Sequence, residues 1–266
     1  MAQTESTSNH HVNISLSIDP HRQSKIAFYW LWSACWVMVI LDYLLAYRDI
    51  TGAHVFRRVF SMTREETVAN WYASILLFLI ALTCFALSLL SKDNKTIARP
   101  WLIFAGFFLY LSADDGARIH ERLGSFFRDL TEDKQGVFSG FFDQVLFFTG
   151  SYAWLILVLP VLVGMALYML RWGNKHVTEQ ATREFVMMGV VCLSFAICLD
   201  YFEGLVNKDT ISVANWPIEK KAIEHFQRVL EEFLEMTAFL LVLRGLWVHF
   251  LTLCVGSFTA APGLKQ

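Results

Sequence analysis

The chain has 266 residues, 55% of them hydrophobic and 17% charged, with a mean hydropathy of +0.44, where soluble domains carry about 25% charged residues. Lys plus Arg number 22 and Asp plus Glu 24, a net charge of −2, which excludes the broad basic surface of a nucleic-acid binder and the acidic block of a disordered tail. Five cysteines (Cys35, Cys84, Cys192, Cys198, Cys254) fall in apolar stretches with no C-x-x-C pair, so neither a disulfide framework nor a zinc ribbon is expected.

Residues 1–25 are polar, rich in Ser, Thr, Asn and His, and lack the pattern of a cleaved signal; they read as a flexible tail. Apolar runs follow at Ile26 to Tyr47, Trp71 to Leu90, Trp101 to Ala113, Val145 to Leu170, Phe185 to Leu199 and Phe233 to Val255. The second and fourth are free of charge and long enough, at 1.5 Å per residue, for a hydrocarbon core of about 30 Å. The third and fifth are too short. To cross, the third must continue through Asp114, Asp115, Gly116, Ala117, Arg118, Ile119 and His120, and the fifth through Asp200, Tyr201, Phe202 and Glu203, which draws charge to membrane depth. Since backbone polar groups in lipid must be satisfied internally, and no ten-residue strand alternation is visible, the expectation is an all-α integral membrane bundle of six transmembrane helices. It spans residues 26–256 and leaves a short tail at 257–266.

Thr63 and Glu66 have the spacing of a capping box ahead of the second span, and Pro100 suits a first helical turn. Pro160 is placed to kink the fourth helix. Six spans put both termini on one side, called A, with the loops around Lys92, Lys95 and Arg99 and around Arg171, Lys175 and Arg183. Their density of Lys and Arg makes side A the cytoplasmic face. Glu179 reads as a loop residue on that side.

By the same parity the interior acids segregate to side B: Asp42 ends the first helix, Asp114 to Glu121 the third, Asp200 and Glu203 the fifth, and Glu224 to Glu235 begin the sixth. At about 100° per residue, Glu224, His225, Arg228, Glu231, Glu232 and Glu235 share an arc of roughly 120°. Asp114, Asp115, Arg118, Glu121 and Arg122 fit a similar arc, with His120 outside it, while Asp200, Glu203 and Asn207 share a sector of the fifth helix. An ionised side chain facing lipid costs on the order of 3 kcal/mol or more, so the third, fifth and sixth helices are expected to meet with these stripes turned inward.

Ten carboxylates (Asp42, Asp114, Asp115, Glu121, Asp200, Glu203, Glu224, Glu231, Glu232, Glu235) face three arginines (Arg118, Arg122, Arg228). A purely structural ion-pair network in a non-catalytic scaffold leaves this excess unmatched, and crowded carboxylates require shared protons, water or a bound cation. The leading functional expectation is cation or proton binding for transport or sensing, because hard divalent ions take carboxylate oxygens and Asp, Glu and His relay protons within membranes. The alternative is a membrane metalloenzyme, di-iron or zinc, acting on a lipid or other hydrophobic small molecule. For it the ligands of a divalent metal ion come from Asp114, Asp115, His120, Glu121, Asp200, Glu203, Glu224, His225, Glu231, Glu232 and Glu235, although the usual Glu-x-x-His and H-E-x-x-H spacings are absent. On side A only Arg244 and His249 of the sixth helix are titratable at comparable depth, and Arg244 reads as a snorkelling or locally paired residue.

The segment Leu111 to Gly124, with Asp114-Asp115 and Ile119-His120-Glu121, and the later Glu231-Glu232-Phe233-Leu234-Glu235 resemble a pattern in uncharacterised bacterial polytopic membrane proteins. Those show Asp-Glu, then Ile-His-Glu, then Glu-Glu-x-x-Glu; Asp115 here stands for the longer Glu. The resemblance implies one site shared by the third and sixth helices, with no activity attached; the setting expected for the chain is a bacterial inner membrane.

Overall fold

The computed structural model describes residues 19–64, 66–117, 119, 122, 153–207 and 219–259, with side chains omitted at 153–158, 203–207 and 256–259. Every regular element in this set is helical: α1 (Pro20–Leu41) running into a π-helical turn (Asp42–Tyr47), α2 (His54–Phe60), α3 (Val68–Leu90), α4 (Lys95–Ala117), α5 (Ala153–His176), α6 (Gln180–Asn207) and α7 (Lys220–Thr259). α1 starts six residues ahead of its apolar run, because the Asp19 carboxylate accepts from the backbone N–H groups of His21 and Arg22 and Pro20 suits the first turn.

Five segments are long and apolar enough to cross a membrane: Pro20–Tyr47, Val68–Leu90, Lys95–Ala117, Gln180–Phe202 and Lys220–Val255. The expected span from Val145 to Leu170 begins outside the described residues, and α5 occupies its remainder. Exposed Trp30, Trp36, Phe78, Phe85, Leu102 and Phe195 project outward from these helices, an apolar surface that suits hydrocarbon better than water.

α7 is the axis of the bundle, packing along α6 and against α3 and α1, while α4 packs chiefly on α3. On α3 the buried residues Ala69, Ala73, Leu76, Ile80, Cys84 and Leu87 recur every three or four positions, forming one continuous face. Its small residues let α4 approach: Ser74 Oγ donates to the Ser112 carbonyl at 2.6 Å, and Ser112 Oγ returns a bond to the Ser74 carbonyl at 2.8 Å. Glycines do the same for α6 and α7. A Cβ on Gly189 would stand 2.7 Å from Val242 Cγ2, and one on Gly245 2.9 Å from the Thr182 carbonyl oxygen, to whose residue Gly245 is already tied by a 3.0 Å bond from Thr182 Oγ1.

Two boundary expectations are corrected. The Thr63 and Glu66 box does not form: α3 starts at Val68 after Thr67, Thr63 pairs its hydroxyl with Ser61 at 3.0 Å, and Glu66 has φ 60°, which no residue in a helical first turn adopts. Pro100 lies inside α4, which begins five residues earlier at Lys95.

Candidate functional site

The C-terminal end of α1 changes its winding at Asp42. From there to Tyr47 the helix widens to i→i+5 pairing, closed by the Arg48 N–H on the Tyr43 carbonyl at 2.9 Å; such π turns cluster at functional positions. Asp42 is 1% exposed. Its Oδ1 accepts from the Met62 backbone N–H at 2.8 Å, and its Oδ2 lies 2.9 Å from His225 Nε2 on α7. The Met62 bond requires the chain to fold back after α2, and the His225 bond joins residues 183 positions apart. Burying a carboxylate is tolerable only with such partners.

Aromatic rings close the site. The Tyr47 ring, from the π turn, lies 4.8 Å from the imidazole of His225 and 5.0 Å from Phe226. One turn further along α7, Arg228 Nη1 reaches the Thr63 carbonyl over a long 3.5 Å. Gln227, buried, donates from Nε2 to the Leu199 carbonyl at 2.7 Å and so fixes α7 against α6 next to Asp200. The α7 stripe of Glu224, His225, Arg228, Glu231, Glu232 and Glu235 is half-buried throughout, as are Asp115 and Asp200, and Asp114 is buried. Glu224 has Lys220 Nζ 3.9 Å away.

Of the residues singled out in the sequence, the structure joins His225 to Asp42 by a direct bond. His120 and Glu121, with the side chain of Glu203, lie outside the described residues. Among the described residues no three His, Cys, Asp or Glu side chains converge as a metal shell.

A second His–carboxylate pair occupies the other end of α7. His249 Nδ1 lies 2.7 Å from Glu179 Oε2, with side chains 8% and 18% exposed. The His249 ring lies 5.7 Å from that of Trp101, which meets Trp172 edge-on at 4.9 Å, and Trp172 stacks on His176 at 4.9 Å. Glu179 is therefore a tether of α7 to the α5–α6 connection and not an idle loop residue. Nor does Arg244 snorkel alone: its guanidinium carbon sits 4.0 Å from the Phe185 ring centroid and 5.0 Å from that of Phe28, a cation–π clamp between α6 and α1.

Residues 30–250 match the family described as a domain of unknown function, DUF8692. The chain belongs to this family. The matched region contains Asp42, Glu179, His225 and His249, and so both pairs. No curated protein and no solved structure matches the chain.

Sequence reasoning placed Asp42 beside the acidic stripe but missed Tyr47, the Met62 amide, Gln227 and Glu179 as participants. Of the bonded pair, Asp42 was signalled as an acid ending an otherwise apolar helix and His225 as a member of the charged arc on the last helix. The others depend on the π turn, on a loop folding back and on helix register, none of which the residue types announce.

Proposed function

We propose that this family member is a six-span helical membrane protein that binds protons at the Asp42–His225 pair, fed by the α7 carboxylate stripe, for transport or sensing. Both termini are placed on the cytoplasmic side. The observation that carries the reading is a carboxylate 1% exposed, shared between a histidine on another helix and one backbone amide, at a break in helix winding. The pair holds either one proton, as carboxylate and neutral imidazole, or two, as carboxylate and imidazolium. Histidine is the side chain whose charge change falls by default between about pH 5 and 8. Removing the second proton turns a neutral pair into a buried anion, which weakens the tie between α1 and α7 or recruits a cation. Glu224 and Arg228 flank the pair on α7, and Tyr47 faces it from the π turn, so its proton exchanges in a polar setting at the membrane boundary.

A divalent metal at the predicted ligands, and the metalloenzyme built on it, draw no support from the described residues, among which no three His, Cys, Asp or Glu side chains converge.

The test is the unfolding midpoint of the full chain in detergent between pH 5 and 8. The wild type is expected to show a pH-dependent midpoint that Asp42→Asn and His225→Gln flatten, while Glu184→Gln, on an exposed face of α6, leaves it unchanged. Identical profiles in all four proteins would overturn the reading. A pH gradient imposed on proteoliposomes then separates transport, where wild type dissipates it and Asp42→Asn does not, from sensing, where neither does.

A further inference from the structure

A cleft lies among α4, α5, α6 and α7 on side A, and its two parts differ in chemistry. The outer part is lined by Trp101, Trp172, Asn174 and Arg183. The inner part, bounded by Phe108, Met165, Leu193 and Val242, encloses about 60 Å³ and is apolar throughout. Met169 lines both parts, which therefore adjoin and form a seam. Among the described residues α5 touches α6 along far less of its length than α7 does.

Three features specify an occupant. First, the buried Nε of Arg183 has no hydrogen-bond partner among the described residues, and the acids nearest in sequence are otherwise engaged, Glu184 by Gln180 and Glu179 by His249. A half-buried guanidinium at a cleft mouth fits a phosphate, which it binds through paired N–H donors. Second, the distance from Arg183 to Leu193 along α6 is about 15 Å at 1.5 Å per residue, half of a hydrocarbon core of about 30 Å. The seam therefore runs from headgroup level to the bilayer centre. Third, a void of this lining stays dry, since water would find no polar partners, whereas a hydrocarbon chain recovers the dispersion contacts its walls otherwise lack. The two methionines adapt to such a chain.

We propose that this cleft is a binding site for a single anionic phospholipid, with its phosphate on Arg183 and one acyl chain in the seam between α5 and α6. Trp101 and Trp172 flank the ester region at the depth where indoles settle. The site lies on the opposite side of the bundle from the Asp42–His225 pair and does not depend on it.

The experiment uses the full chain, delipidated in detergent, with native mass spectrometry and thermal unfolding as readouts. The probes are mixed micelles containing phosphatidylglycerol or phosphatidylcholine of identical chains, and glycerol phosphate alone. The expected result is one phosphatidylglycerol held per chain, with a preference of about fivefold over phosphatidylcholine, the ratio one interfacial Arg supplies. Arg183→Gln should abolish the preference while still holding lipid, Arg183→Lys should restore much of it, and Lys175→Gln, exposed on the same side, should leave it unchanged. Val190→Trp, which fills the inner part, should weaken both lipids alike. Because Arg183→Lys keeps the charge at the site and Lys175→Gln removes an exposed charge away from it, the inference remains testable even if Val190→Trp does not fold. Equal binding of the two lipids by wild type, an unchanged preference in Arg183→Gln, or full stabilisation by glycerol phosphate alone would overturn it, the last pointing to a free phosphate site.

Discussion

His225 and His249 stand 24 positions apart on α7, about 36 Å at 1.5 Å per residue, and each bonds a carboxylate from another part of the chain. Their surroundings differ. Asp42 is sealed, with both oxygens bonded, at a wide helical turn beside a half-buried acidic stripe, whereas Glu179 retains some exposure and its histidine rests among indole rings. On the proposed reading, a change of one proton at Asp42–His225 alters how two helices are joined, whereas the His249–Glu179 pair in its aromatic box acts as a clip.

The sharpest way to break this comparison is to remove each carboxylate. Asp42→Ala leaves the Met62 amide and His225 without their acceptor and should cost about 3–5 kcal/mol, the range for halving a buried pair. Glu179→Ala, whose histidine keeps its ring contacts, should cost about 1–3 kcal/mol. Unfolding in denaturant measures both, and a larger loss from Glu179→Ala would reverse the ranking of the two ends. Next comes Gly245→Ala, whose new methyl meets the Thr182 carbonyl at 2.9 Å and Phe185 Cβ at 3.2 Å. It should cost about 1–3 kcal/mol as overpacking, and hydrogen exchange should rise near His249 while the amides around Met62 stay protected. Equal loosening at both ends would show that α7 transmits strain along its length.

A smaller effect is expected at the stripe. Glu232→Gln should shift the pH dependence of the midpoint while changing its height by less than about 1 kcal/mol, and Glu184→Gln should do neither. The smallest concerns Arg57, whose partner Asp49 is 3.0 Å away with both side chains at least one-third exposed. Arg57→Gln should move stability by no more than about 0.5 kcal/mol, and a larger loss would mean that the α2 connection supports Asp42 more than its single amide bond implies.

Composition and apolar run length were enough to read a helical membrane bundle, because a bilayer imposes a length and a polarity that few other settings do. The half-buried α7 stripe was legible for a related reason, since helical periodicity places charges on one arc whatever they pack against. The direct bond from His225 to Asp42 was not. It depends on five-residue winding after Leu41 and on Met62 returning to the α1 end, and both are tertiary outcomes. Glu179 was misread because a short connection between two helices looks solvent-exposed, and only the register of α6 on α7 brings His249 within 2.7 Å. The capping box failed for a local reason: Glu66 takes a left-handed backbone and so cannot stand in the first turn that Thr63 would cap.

The most direct test of the central claim is nitrogen NMR of histidine-labelled full chain in nanodiscs, followed from pH 5 to 8, with His225 and His249 assigned by their loss in His225→Gln and His249→Gln. The account predicts that Asp42→Asn changes the pH response of the His225 signal and leaves that of His249 where it was. A His225 signal whose titration is identical in wild type and Asp42→Asn would contradict it.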